Sequence, residues 1–123
     1  MVIVISNRNV EREGEDGRFG EQLGSKQGQN LRVGQIIGTV NDWRMNLLPE
    51  NEAALNEKYP SEDLFQMVRE KIEGGDESAK QWNFYIHGFN CEFSKSIEQA
   101  LAIADRYEIN VILFSWASNP GPD

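Results

Sequence analysis

The apolar positions of the chain fall into short blocks whose spacing switches between the periods of strand and helix. Val2-Ile3-Val4-Ile5 is β-branched throughout and ends at Ser6-Asn7, which predicts a strand closing at turn formers. Gln35 to Val40 reads as a second strand, with Gly38 marking a bulge or a close backbone approach. Leu64, Phe65, Val68 and Ile72 then share one helical face. Ser61 is an N-cap, Glu62 and Asp63 suit the first turn, and Gly74-Gly75 is the stop, so the spacing predicts a helix over 62–73.

The final third carries the clearest pattern. Trp82 to Ile86 is an aromatic-rich strand that runs into the turn His87-Gly88-Phe89-Asn90. Phe93, Ile97, Ala100, Leu101 and Ala104 repeat at helical spacing, with Lys95, Glu98, Gln99 and Asp105 on the other face, and predict an amphipathic helix over 93–107. Val111 to Phe114 is a continuous apolar run, the pattern of a strand buried on both faces. Strand, helix and strand in this length imply a parallel crossover. Two stretches lack a period. Residues 7–34 hold six of the eleven glycines among charged and amide residues, which predicts a long glycine-rich loop with room for a short hairpin. In 41–59, Trp43, Met45, Leu47 and Leu48 can line a strand end or cover the core, and Glu50 to Lys58 can form a short helix after Pro49.

At 123 residues, 39% of them hydrophobic, the chain can bury one core, and it is read as a single domain, 1–123. Twenty acidic against twelve basic residues give a net charge of -8, which repels phosphate backbones and anionic lipid and makes nucleic acid and membrane poor partners. The opening apolar run is too short for a signal-peptide core, no stretch is long enough to cross a bilayer, and Cys91 has no cysteine to pair with. A cytoplasmic setting is expected. Glu11, Glu13, Glu15 and Asp16 match no calcium-loop spacing, no Cys or His cluster supports zinc, and no cofactor is expected. Cys91 lies four residues from His87, a pairing that can activate a thiolate, but with no orienting acid it is expected to be a packing residue. Ser115 lacks a sharp glycine turn and is expected to end its strand with the hydroxyl on backbone.

His87-Gly88-Phe89-Asn90, after a strand and before a helix, resembles the oxyanion-hole turn of α/β-hydrolases. Ile5-Ser6-Asn7-Arg8, Arg18-Phe19-Gly20, Leu31-Arg32-Val33-Gly34, Phe84 to Phe93 and Leu113-Phe114-Ser115-Trp116 extend the likeness. In that order they are similar to bacterial α/β-hydrolases of the domain-of-unknown-function type, which carry TNR, FG, HGYNNSF and FSWPS motifs. Cys91-Glu92 and Ala117 depart from that pattern. The resemblance implies the first half of such a fold: an α/β domain with a mixed, mainly parallel sheet of about four strands and flanking helices. It implies an oxyanion hole at Phe89 and Gly88, with His87 and Asn90 supporting the turn. The Gly-x-Ser-x-Gly elbow and a second His are absent from the sequence, so no catalytic residue is identified and the chain is expected to be inactive alone. Two functions follow: part of a serine hydrolase cleaving ester or acyl bonds, or a non-catalytic binding or assembly module. The family's next strand, which would flank Trp82 to Ile86, is also absent, so this strand is expected to be an open edge and the chain to form a homo-oligomer or to bind a partner chain supplying the missing sheet.

Overall fold

The computed structural model describes residues 1–24, 31–49, 60–75 and 81–118. Its strands are β1 (Val2–Ser6), β2 (Arg8–Arg12), β3 (Gly14–Leu23), β4 (Arg32–Thr39), β5 (Asp42–Leu47), β6 (Trp82–Ile86) and β7 (Asn110–Ser115); its helices are α1 (Pro60–Glu73) and α2 (Phe93–Tyr107). All seven strands join one sheet in the order β2-β3-β5-β4-β1-β7-β6. β1 pairs with β7, and β7 with β6, in parallel; the other four pairings are antiparallel.

This corrects the expectation of a mainly parallel sheet of about four strands. Strand makes up 46% of the described residues against 30% helix, and only the β1-β7-β6 side is parallel. The difference arises in 7–34 and 41–49. Most of the supposed glycine-rich loop is the β2-β3 hairpin and the start of β4, and Trp43, Met45 and Leu47 belong to β5. Glycine there serves close packing: a Cβ at Gly17 would lie 2.6 Å from Leu47 Cβ. The α1 start also differs, since Pro60 already lies in the first turn, where its missing N-H costs nothing, and Ser61 follows it inside the helix. The helix expected over 50–58 lies outside the described residues.

Strand alternation divides the core between two faces. Val2, Val4, Val111 and Leu113 point to the face that receives Phe93, Ile97, Ala100 and Leu101 of α2, together with Phe19, Ile36, Met45 and Leu47 from the antiparallel strands. Ile3 and Val33 point the other way, toward Val68 of α1, with Ile5, Leu64, Phe65, Trp82 and Ile112 packed around them. β1 and β7 are thus covered on both faces, which accounts for their unbroken apolar sequences. Ile72 of the predicted α1 face is exposed instead. No helix among the described residues is long and apolar enough to cross a membrane.

The β4-β5 hairpin turns between Thr39 and Asp42, which face each other. Gly38 has φ +116°, and a Cβ there would stand 2.2 Å from the Asp42 carbonyl oxygen. Alanine at 38 would meet both the wrong φ and immovable backbone, so Gly38→Ala is expected to cost about 3 kcal/mol. Urea unfolding checks this: a clearly lower midpoint at unchanged slope is expected, and a shift worth less than about 0.5 kcal/mol would contradict the reading.

Candidate functional site

In open sheets with parallel strands, ligands favour the carboxyl ends of those strands. Here those ends are Ser6 of β1, Ser115 of β7 and the step from Ile86 of β6 into His87. The chain fills the place with its own polar groups. Arg8, just past β1, is 1% exposed. Its Nη1 donates to Glu21 Oε2 at 2.7 Å and, more weakly, to the Gly20 carbonyl at 3.5 Å. Its Nη2 donates to the Cys91 carbonyl at 2.7 Å, and its Nε to Ser115 Oγ at 3.0 Å. Burial lowers the guanidinium pKa while Glu21 opposes the shift, and at any ordinary pH the group keeps its charge.

The hydroxyls form a directed chain. Ser96 Oγ donates to the Phe93 carbonyl at 2.6 Å, so its lone pairs receive Ser115 Oγ at 2.9 Å, which in turn receives Arg8 Nε. Ser6 Oγ donates to the Ser115 carbonyl and accepts from the Arg8 amide. The Ser115 hydroxyl is therefore bonded to side chains, not to backbone as its sequence position suggests, and it is wholly buried. Glu21 also reaches the helix. Its carboxylate accepts the Phe93 N-H, at 3.0 and 3.2 Å to its two oxygens, and so caps the start of α2 from a strand 72 residues away.

The turn residues lie at the rim of this cluster. His87 is 2% exposed. Its Nε2 accepts the Trp116 amide at 2.9 Å, so Nδ1 carries the proton and donates to the Gly88 carbonyl at 2.7 Å. The imidazole also stacks on the Trp116 ring, with centroids 5.6 Å apart and planes 4° apart, and the Trp116 indole N-H returns a bond to the His87 carbonyl. His87 and Trp116 thus splice the β6 and β7 loops together. Asn90 takes the turn's left-handed conformation, φ 61°, and its amide donates to the Ser118 carbonyl. Gly88 does not have a positive φ, and a Cβ there would meet nothing within 4 Å, so the fold itself does not require glycine at this place. Phe89 projects outward, 79% exposed.

Cys91 is buried beside the cluster, held by its amide to Ser118 Oγ, with its thiol against the Glu92 carbonyl and Gln99. Burial raises the thiol pKa, the reverse of what an activated thiolate needs, and no bond joins it to His87. The acidic residues of 11–16 are not one cluster. Glu13 forms a two-pronged pair with Arg32, which holds its carboxyl below the usual range, and Glu11 pairs with Arg18. Two clefts, of about 420 and 450 Å³, lie elsewhere: one between Val40, Leu101 and Ile109, the other between Glu13, Arg32 and Pro49. The sequence draws attention to His87, Gly88, Phe89 and Asn90; of the organising pair, Arg8 enters only within the Ile5-Ser6-Asn7-Arg8 motif, with no role, and Glu21 not at all. One available sign is a serine at the same end of each of two apolar strands, Ser6 and Ser115.

Burial lowers the His87 pKa below its ordinary 6.5. The unfolded chain therefore binds a proton at a pH where the native chain does not. The stability gained from a neutral His87 is complete above about pH 6.5 and is lost as pH falls toward the depressed native value. His87→Gln keeps an acceptor for the Trp116 amide but cannot titrate. Urea midpoints measured between about pH 7 and 5 are expected to fall in the native chain and to flatten in the variant; parallel profiles would show that His87 is not the titrating group.

Comparison with family models, with curated proteins and with solved structures finds no match to this chain. Together with the mostly antiparallel seven-stranded sheet, this overturns the resemblance to the first half of an α/β-hydrolase.

Proposed function

We propose that the chain is a non-catalytic assembly module that completes its sheet with a strand from another polypeptide. The observation that carries this reading is the contrast between the two sheet edges. β2, one edge, contains Glu11 and Arg12 and is broken by register shifts on both sides of Val10, devices that keep foreign strands away. β6, the other edge of the sheet among the described residues, has no charge, no proline and no irregularity in its pairing with β7. Its edge position agrees with the expectation from the sequence, although the fold that motivated that expectation does not hold.

The free side of β6 can be assigned residue by residue. The Asn110 amide donates to the Gln81 carbonyl, and Trp82 is the residue facing Asn110. Backbone groups alternate sides along a strand, so Gln81, Asn83 and Tyr85 address β7, while the N-H and C=O of Trp82, Phe84 and Ile86 point outward. The side chains of these same three residues share the α1 face. Trp82 is tucked against α1, but Phe84 is 70% and Ile86 64% exposed. Among the described residues none pairs with this side, so an incoming strand would find three donors, three acceptors and an apolar flank, the terms on which strand addition works. The serine-hydrolase reading rested on the overturned resemblance, and the buried Ser115, engaged His87 and protonated Cys91 give it no separate support.

The test uses a capped peptide of alternating valine and threonine added to the isotopically labelled chain. Slowed amide exchange at Trp82, Phe84 and Ile86, with shift changes confined to β6 and its neighbours, is the expected result. Phe84→Pro should remove the response and leave β1 and β4 intact. Edge amides that exchange freely at millimolar peptide, with no shift changes, would contradict the proposal.

A further inference from the structure

Resting on that reading, we infer that the strand β6 accepts is β6 of a second copy of this chain, antiparallel, with a two-fold axis through Phe84. The pattern of the strand is self-complementary about that residue. Phe84 then faces Phe84 of the second copy, Trp82 faces Ile86, and Asn83 faces Tyr85, so apolar meets apolar on one face and polar-edged side chains meet on the other. The hydrogen bonding closes as well. In antiparallel pairing, directly opposed residues alternate between those that exchange both backbone bonds and those that exchange none. The register about Phe84 makes the exchanging pairs Phe84 with Phe84 and Trp82 with Ile86, the same three residues whose groups point outward from the sheet. All six outward-pointing groups on each copy find partners. A register centred on Asn83 or Tyr85 puts Phe84 opposite Trp82 or Ile86 and leaves one end of the free row unmatched.

Shape suits the same occupant, and charge confines the contact to this strand. Each copy carries a net charge of -8, which opposes self-association over most of the surface. β6 is an uncharged stretch where two copies can meet without opposing like charges in the pairing itself. The two-fold axis stands perpendicular to the sheet, so each copy keeps α1 on one face and α2 on the other. α2 packs over β7 and β1 and reaches β6 at Tyr85, whose hydroxyl donates to Gln99, so α2 does not cover the strand's outer side. The result is one continuous sheet of two copies. Pairing five residues and covering Phe84 and Ile86 buries on the order of 700 Å² in total, below the roughly 1,200 Å² of standard complexes, so the dimer belongs with weak, concentration-dependent ones.

Light scattering of the native chain from about 10 μM to 1 mM gives the first readout, with a rise from monomer toward dimer mass expected in that range. The second compares two variants in a Cys91→Ala background. Phe84→Cys places thiols across an exchanging pair, where Cα atoms stand about 5.5 Å apart and a disulfide fits. Asn83→Cys places them two residues out of register. Oxidative cross-linking at least tenfold faster at 84 than at 83, together with native dimer mass, supports the inference. A dimer that cross-links as fast at 83 overturns the register, and a native chain that stays monomeric at 1 mM overturns the second copy as occupant. If the valine-threonine peptide protects the edge while the chain remains monomeric, the assembly reading stands and self-pairing falls; if neither happens, both fall.

Discussion

A guanidinium taken almost wholly out of water is costly unless every side of it is answered, and Arg8 is answered from four directions. Glu21 supplies the opposite charge from β3, Ser115 an oxygen from the end of β7, and Gly20 and Cys91 supply carbonyls from β3 and the loop before α2. These groups come from strands and a loop that sequence order keeps far apart. The β2-β3 hairpin brings Glu21 and Gly20 to Arg8, and Ser115 and Cys91 reach it only when β7 and the loop before α2 are in place, so the full set of bonds requires the complete arrangement. Glu21 extends the coupling by capping α2, whose first residue, Phe93, is fully buried edge-on against Phe19 and Trp43. Strand, ion pair and helix start are one unit.

That unit also engages the polar groups at the ends of the parallel strands. The carboxyl ends of β1, β7 and β6 are the natural place for a ligand, but Arg8, Ser6, Ser96, Ser115 and Ser118 spend their hydrogen bonds on one another, on Glu21 and on backbone. His87 and Trp116 seal the rim by stacking. The two sheet edges differ. Among the described residues the β2 side carries charge and irregular pairing, and the β6 side has neither, with Phe84 and Ile86 facing solvent. This contrast between a closed polar cluster and an apolar strand edge is what supports the proposed strand pairing.

Much of this is legible in the sequence where the signal is local. β1, β7 and α2 announce themselves because each faces an apolar layer along its length, β6 by its aromatic run, and the β6-α2-β7 crossover needs only neighbouring segments. The antiparallel half is not legible for a physical reason. β3 and β5 meet across distant sequence, and glycines such as Gly17, which mimic a loop, are there because Leu47 packs where a side chain would go. A local reading therefore counts about four strands and favours the parallel ones. Arg8 and Glu21 are hidden by a different rule: charged residues belong at the surface unless paired, and their pairing is visible only once β2 and β3 are folded side by side. At the candidate site the sequence points to the turn residues, but the role it suggests for them comes from a likeness to enzymes that neither the topology nor any comparison upholds.

The most direct test of the central place of Arg8 is a double-mutant cycle of Arg8→Met and Glu21→Gln, read by urea unfolding together with native-state amide exchange in α2. If the pair holds the sheet to the helix start, Arg8→Met alone costs about 3 kcal/mol or more, since it leaves buried carbonyls without donors. The double variant then costs less than the sum of the singles by at least about 1 kcal/mol, and exchange quickens in the first turn of α2 in both single variants. Additive effects within about 0.5 kcal/mol, with α2 protection unchanged, would show that Arg8 is a tolerated burial and that the fold is held together elsewhere.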